Sequence, residues 1–395
     1  MSESAIDLRI GVIGAGLRRS VALEAHRPGR GARVVAVADT DAAAAAAIAP
    51  NLDDPQIFPD HRTMLAQAEL DAVLVLTPDD THEEVACDTL KAGVPSFVEK
   101  PLGITVAQTD AILRTAYETG TRLYVGHNMR HMGVVRLMRD IIARGVIGEP
   151  KTVWVRHFVS YGGDYYFKDW HADRTHTTGL LLQKAAHDLD VIHWLVNGYT
   201  QRVNAMGALT LYGDLPRRAP GTPRPENWLR EFTWPPTEHR DLNHLVDVED
   251  VSVMNMRLDN GVIATYQQCH FTPDYWRNYT VIGTEGRLEN IGDAPGDIVK
   301  VWNTGPSEYR AEADIDYRIP EAKGGHGGAD TLIVDEFLRF VREGGRTETS
   351  PVAARMAVAA GVLATRSLRG GGTPYDVPPL DPELIRYFDD GQIRV

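Results

Sequence analysis

Over the first 126 residues, short apolar runs alternate with stretches of helical length, and this alternation constrains the fold more than any other feature of the chain. The runs are Leu8–Ile13, Val34–Ala38, Ala72–Leu76, Ser96–Val98 and Leu123–Val125. Between them lie Ser20–His26, Ala42–Ala47, Glu83–Ala92 and Val106–Thr119. Strands that are apolar along their whole length are buried on both faces, as in a parallel sheet with helices on each side. Right-handed crossovers then give an α/β, doubly wound domain. It is expected over residues 1–126.

After about Pro150 the period changes from continuous to two. Lys151–Phe158 alternates, as do parts of Val203–Tyr212, Val251–Leu258 and Val262–Phe271, and Tyr279–Ile282 looks similar. Asp259-Asn260-Gly261 between two of these runs is a hairpin turn. The pattern predicts a second α/β domain, over 127–395, built on a large, mostly antiparallel sheet with one open face. Helices are expected near Ala329–Glu343 and Val352–Leu368, the last packing back near the first domain. Gly213–Asp247 is a long Pro-rich, charged connection carrying Trp228 and Trp234, and a connection of that length is usually functional or mobile.

Composition narrows the function classes. The chain has 395 residues, 43% hydrophobic and 24% charged, the balance of an ordinary globular protein with a substantial core. The formal charge of −13 argues against nucleic acid, whose binding needs a basic surface to displace counterions. No apolar run approaches the roughly 18 residues that a membrane span requires, and the first strand pattern begins too early to leave room for a signal peptide. Cys87 and Cys269 are the only cysteines, which fits a reducing compartment. A cytoplasmic protein with no membrane partner is expected.

Gly14-Ala15-Gly16 follows the first strand and opens a helix. Two glycines let the backbone turn tightly and approach a pyrophosphate. The third glycine of the usual fingerprint is replaced by Arg19. The second strand ends in Asp39, where a carboxylate can accept hydrogen bonds from both adenosine ribose hydroxyls and repel a 2′-phosphate. This favours NAD(H) over NADP(H). The competing reading of Asp39 is a solvated cap at a strand end.

Thr77-Pro78-Asp79-Asp80-Thr81-His82 follows the next inner strand, and Glu99-Lys100-Pro101 follows the one after it. With Gly14 ahead and Gln183-Lys184 and His187 behind, the chain resembles the glucose-fructose oxidoreductase / inositol dehydrogenase / MocA (Gfo/Idh/MocA) family along nearly its whole length. The resemblance implies an N-terminal Rossmann domain and a C-terminal domain whose open sheet commonly makes homodimers or homotetramers. NAD would lie between the domains with a sugar, cyclitol or related polyol on the nicotinamide. By position it puts Leu17, Arg18, Thr77, Pro78, His82, Glu99, Lys100 and Asn128, with Gly14, Gly16 and Asp39, on the cofactor. Arg130 falls near the substrate.

Lys100 sits at the carboxyl end of a parallel strand, where open α/β sheets place ligands. The matching lysine of the family contacts the reacting hydroxyl and carries its proton. Oxidising an alcohol needs a base for the O–H proton while hydride leaves the same carbon. A lysine desolvated beside a cationic nicotinamide has its proton affinity lowered toward a useful range. His187 matches the histidine of the family's D-x-x-x-H pattern and can relay a proton near neutral pH; the plainer reading is a core histidine bonded to backbone. Gln183 stands where many relatives have the aspartate. The spacing of four puts 183 and 187 on one helix face, but an amide cannot ionise, so Gln183 binds substrate or orients His187. Lys184 is either a second cation for an anionic substrate or a lysine whose stem lies along apolar surface.

Tyr166, His171 and Arg174 come from an aromatic, basic stretch suited to the C–H face and hydroxyls of a sugar. His326 lies in the Gly-rich GGHGG, as a residue that closes on the site or as a loop histidine. No metal is expected, because His171, His187 and His326 lack ligand spacing. The leading function is an NAD-dependent oxidoreductase of a sugar, sugar derivative or cyclitol, with Lys100 and His187 handling the proton. The second is an NAD-retaining glycosidase that oxidises C3 transiently, eliminates the aglycone, adds water and returns the hydride; an anionic sugar such as a sulfonated or uronic glycoside would suit its cations. The third is a non-catalytic NAD-binding sensor.

Overall fold

The structure is a computed structural model that describes residues 6–224, 232–322, 324–325 and 327–393. Two compact units are present, and they are not consecutive stretches of chain. One comprises Met1–His131, Lys323–Arg355 and Pro379–Val395, the other Met132–Ala322 and Met356–Pro378.

The first unit begins β1 Leu8–Ile13, α1 Arg19–Ala25, β2 Ala32–Ala38, α2 Ala42–Ile48, β3 Gln56–Phe58, α3 His61–Gln67 and β4 Ala72–Val75. It continues α4 His82–Lys91, β5 Ser96–Val98, α5 Val106–Thr119 and β6 Leu123–Val125. The six strands are parallel in the order β3-β2-β1-β4-β5-β6. The order reverses at β1 and β4, so the loops after these strands open on one crevice, the usual ligand position of such a sheet. The sequence reading missed β3 and α3: β3 is three residues long and exposes two of them, too short for any periodicity to register. The α5 start is fixed by a capping box in which Thr105 accepts from Gln108 N–H and the Gln108 side chain answers. The core beneath β1, β2 and β4 also contains Ile333, Val334 and Phe337, contributed by a much later part of the chain.

The second unit runs α6 Gly133–Ala143, β7 Pro150–Phe158, α7 Gly162–Tyr166, α8 Arg174–Thr177, α9 Leu180–Gln183, α10 Ala186–Val196 and β8 Thr200–Ala208. Then come β9 Val251–Leu258, β10 Ile263–Cys269, β11 Trp276–Gly283, β12 Arg287–Ile291, β13 Ile298–Trp302 and β14 Ile315–Arg318. The chain rejoins the first unit as α11 Ala329–Glu343. It crosses back within α12 Pro351–Arg369, adds β15 Tyr375–Asp376 to the second unit, and ends in α13 Pro382–Asp389 of the first. The second sheet has nine strands in the order β14-β13-β12-β11-β7-β10-β9-β8-β15. All of its pairs are antiparallel except β7 with β10. The β9–β10 hairpin turns at Asp259–Gly261 as expected, with Gly261 at φ +84° and Leu258 N–H donating to Val262 O at 2.9 Å.

One face of this sheet is covered. α10 packs on β7, and every α10 residue but Trp194 is buried, its polar residues His187, Asp188, Asp190 and His193 included. The opposite face carries Trp154, Met206 and Ile263 in the open, with Phe158 and Trp276 stacked at 5.6 Å. No described helix is long and apolar enough to cross a membrane.

Candidate functional site

In the first unit the loops after β1, β2, β4 and β5 assemble the residues expected to hold a dinucleotide. Gly14 has φ +96°, and a Cβ there would sit 2.8 Å from the carbonyl of Leu76. Only glycine permits this turn. Gly16 is the complement: a Cβ there would meet no atom within 4 Å, so the backbone is approachable from outside. Asp39 accepts from Ala15 N–H at 2.7 Å and from Asp41 N–H at 2.8 Å. The carboxylate thus ties the glycine turn to the end of β2, and each oxygen keeps a lone pair for a ribose hydroxyl. A glycine turn with an open side and a carboxylate at the end of β2 fit an adenosine pyrophosphate.

The remaining first-unit candidates form a buried scaffold. Leu17 and Arg18 make the turn into α1. Arg18 donates through Nε to Glu99 at 2.7 Å and reaches Asp330 at 3.3 Å, and these carboxylates raise its proton affinity in spite of burial. Glu99 also accepts from Lys100 N–H at 3.0 Å. His82 is fully buried and bridges two loops, with Nδ1 2.7 Å from Pro101 O and Nε2 3.0 Å from Thr77 O. Burial lowers its pKa, and the neutral ring, with one N–H, donates to one of these two carbonyls while it packs between the Thr77-Pro78 and Lys100-Pro101 turns. Asn128 donates to Asp330 at 2.8 Å, and Arg130 is buried with Nη1 on Glu348 O at 2.6 Å.

The second unit positions Gln183, Lys184 and His187, all buried. They do not lie on one continuous helix. α9 closes with Ala185 N–H bonded back to Leu180 O, a five-residue step, and α10 starts afresh at Ala186. The spacing of four therefore spans a break. α12 comes close to α9 just before this break at Gly361, where a Cβ would lie 2.5 Å from Leu181 O and 2.9 Å from Leu182 Cα. Lys184 Nζ points among three tyrosine rings: Tyr166 at 5.4 Å, Tyr275 at 5.8 Å and Tyr161 at 5.9 Å.

Next to His187, Asp188 drops into the covered face of the sheet. His157 of β7 pairs with Arg277 of β11 on one side and Gln268 of β10 on the other, forming a polar row. Asp188 accepts from His157 at 3.0 Å, Tyr266 at 3.1 Å and the Tyr279 hydroxyl, and it forms an ion pair with Arg277, whose Nε lies 3.1 Å away. Burial opposes its charge, but these partners outweigh burial and hold the carboxyl well below the usual carboxylate range. Burial and the Arg277 cation push His157 the other way, toward the neutral ring. His157, Tyr161, Asp188, Tyr275 and Arg277 escaped the search for site residues. The legible signal was Tyr275, Arg277 and Tyr279, spaced by two and so on one strand face.

The remaining substrate candidates divide. Tyr166 and His171 are buried, and His171 stacks on Trp170 at 3.9 Å and lies edge-on to Tyr166 at 5.4 Å. Arg174 is partly exposed and holds Asp247 at 2.7 Å, fastening the end of the long connection to α8. That connection is also pinned by Asp164, which accepts from Lys168 at 2.8 Å and from Thr233 N–H at 3.0 Å. His326 and Trp228 lie outside the described residues. Among the described residues one trio with metal-ligand atoms within 4.8 Å of one another occurs, His61, Glu84 and Asp88. Arg62 already bonds both carboxylates, at 2.6 and 2.9 Å, and would repel a cation.

Residues 8–127 match the family model described as an oxidoreductase family, NAD-binding Rossmann fold, and residues 139–377 match that family's C-terminal alpha/beta domain. The chain belongs to the Gfo/Idh/MocA oxidoreductase family. Its NAD-binding Rossmann domain is the six-stranded unit, and its α/β domain carries the nine-stranded sheet. Among relatives, inositol 2-dehydrogenase of Burkholderia multivorans is 34% identical over 192 residues, 48% of this chain and 54% of that one. The alignment thus spans about half of that enzyme. 1,5-Anhydro-D-fructose reductase of Ensifer adhaerens is 27% identical over 282 residues, 71% of this chain and 74% of that one. Among solved structures, levoglucosan dehydrogenase in complex with NADH and levoglucosan superposes with a TM-score of 0.76 at 20% identity, covering 95% of this chain and 100% of that one. At that identity the likeness speaks to the fold.

Proposed function

We propose that this protein is an NAD-dependent oxidoreductase that moves a hydride between nicotinamide and a hydroxyl of a sugar, sugar derivative or cyclitol. The observation that carries the reading is Lys100, placed at the carboxyl end of β5 on a turn that Glu99 and His82 brace from both sides. NAD, when bound, supplies the hydride acceptor. Gly14, Gly16 and Asp39 hold its adenosine half, with Leu17, Arg18, Thr77, Pro78 and Asn128 shaping the turns around it. Asp39 selects NAD over NADP by charge. Lys100 takes the proton of the reacting hydroxyl, and His187 relays it or orients that hydroxyl. Gln183 and Lys184 bind substrate hydroxyls. The neighbouring aromatic stretch, Tyr166 and His171, supports them from the core, and Arg174 and Arg130 are further candidates for substrate contact.

The relatives named for inositol and anhydrofructose support a polyol substrate. The exposed apolar strip of the nine-stranded sheet, with Trp154 and Ile263, supports a homodimer or homotetramer through that face. The two free cysteines agree with a cytoplasmic setting. The test is absorbance of reduced nicotinamide with purified protein, NAD and a panel of cyclitols, free sugars and aryl glycosides, with aglycone release followed in parallel. NADH growing with a free polyol establishes the reading. Aglycone release that needs NAD but accumulates no NADH replaces it with the redox-neutral glycosidase.

A further inference from the structure

We propose that Tyr275 is an acid–base residue of this site, one that exchanges a proton with the substrate carbon next to the carbonyl. The proposal rests on the oxidoreductase reading above, since a polyol acquires an acidic C–H only when its neighbour is a ketone.

Six phenols crowd this part of the second unit, Tyr165 among them with its ring 4.8 Å from that of Tyr166, and four of the six are committed. Burial raises the pKa of Tyr161, Tyr166, Tyr266 and Tyr279, and these four keep their protons. Tyr266 and Tyr279 donate those protons to Asp188. Tyr275 differs from all four. It lies just before β11 and is 36% exposed. Its hydroxyl oxygen accepts a hydrogen bond from Arg277 Nη1 at 2.7 Å. Its ring stands 5.8 Å from the Lys184 ammonium and 4.9 Å from the Tyr161 ring. The Tyr161 hydroxyl, holding its own proton, is a further donor beside it.

A phenol has two lone pairs and one proton. Here the oxygen faces donors and cations, so negative charge that develops on it is stabilised by groups already in place. Arg277 is itself held by Asp188 and cannot turn away. The arrangement sets these donors around the oxygen of a partly exposed side chain whose ring faces Lys184, three residues before His187. The hydroxyl proton of the substrate already has Lys100. The remaining acidic proton of a polyol under oxidation is the one on the carbon adjacent to the new carbonyl. In the step, Tyr275 gives its own proton to solvent at its exposed edge, the substrate C–H bond breaks, and the proton from carbon re-forms the O–H bond of Tyr275. The carbon's electron pair becomes the C=C bond of an enediolate, and the carbonyl π pair moves onto oxygen. Lys184 is the nearby cation for that oxygen. The reverse step returns a proton, so no net redox change is needed. With a leaving group on the next carbon, the same enediolate would expel it.

The experiment uses the NAD⁺-loaded enzyme in D₂O with 2-keto-myo-inositol and 1,5-anhydro-D-fructose as probes. Deuterium entry at the carbon beside the carbonyl is followed by NMR and corrected for the uncatalysed rate. NADH-driven reduction of the same ketones is measured separately. The expected result is catalysed exchange that falls about 100-fold or more in Tyr275→Phe, while reduction falls by less than tenfold and the melting temperature is kept. Reduction without exchange in the native enzyme overturns the role of Tyr275 and leaves the proposed function standing. Exchange that persists in Tyr275→Phe also overturns it. Failure to reduce either ketone removes the oxidoreductase reading for these substrates, and the inference falls with it.

Discussion

Single residues carry the chemistry, and three predictions belong at that scale. Lys100→Met should lower kcat by about 10²–10⁴-fold, the range for loss of a general base, with NADH binding followed by its fluorescence little altered. Asp188→Asn should destabilise the protein by about 3–5 kcal/mol, because it removes the charge that compensates buried Arg277; chemical denaturation reads this directly. The third concerns acid. Burial, with the Lys184 cation, pushes His270 down to about 3, and burial with Lys168 pushes His239 down to about 4. Both folded values lie below the ordinary ~6.5, so the unfolded chain binds protons first and stability falls as pH drops from ~6.5 toward those values. Melting temperature should therefore fall between pH 7 and pH 5, and fall less in His270→Asn. Legibility at this scale followed local signals. Gly14 and Asp39 sit in a motif whose strand–turn–helix setting is short-range, and Lys100 lies in EKP. Tyr275 and Arg277 acquire meaning only from β7 and α10, which are 80 or more residues away in sequence, and no spacing rule reaches that far.

At the scale of elements, the long ones were readable and the short ones were not. β1, α5, β9 and α11 have the bounds that apolar periodicity assigns. α7, α8 and α9 have four or five residues each, less than two turns, and are shaped by contacts rather than by pattern. The α9–α10 break is the instructive case. Gln183-Lys184 and His187 have helical spacing, yet the helix breaks between them, next to the close approach of α12 at Gly361. Gly361→Val should push α12 from Leu181 and Leu182, lower the melting temperature by several degrees and displace Gln183. The variant should lose activity even at temperatures where it remains folded, and an activity equal to the native enzyme's would refute the link.

At the scale of the whole molecule, the exposed strip on the nine-stranded sheet makes a prediction about assembly. Trp154 is 53% exposed and Ile263 49%, on neighbouring parallel strands. A Trp154→Arg, Ile263→Lys double variant should reduce the native mass measured by light scattering to that of one chain, with little change in the circular dichroism of the monomer. The order of domains was visible in the change of period near Pro150. The closure of the first unit was not, because α11 and α13 are separated from their sheet by some two hundred residues of other structure.

That separation governs how the protein can be made. Phe97 and Tyr124 of the first unit stack at 5.6 Å and pack against Phe337 of α11. The edge strand β6 exchanges backbone bonds with the Gln392 side chain, at 2.7 and 2.8 Å. A ribosome that has released only the first 131 residues has delivered all six strands but none of these covers. The nascent sheet must wait, with an aromatic surface and an open edge, while nearly two thirds of the chain is still to be translated. The enzyme thus depends on whatever shields unfinished chains in its cell, and a fragment cut at the apparent domain boundary should aggregate rather than bind dinucleotide.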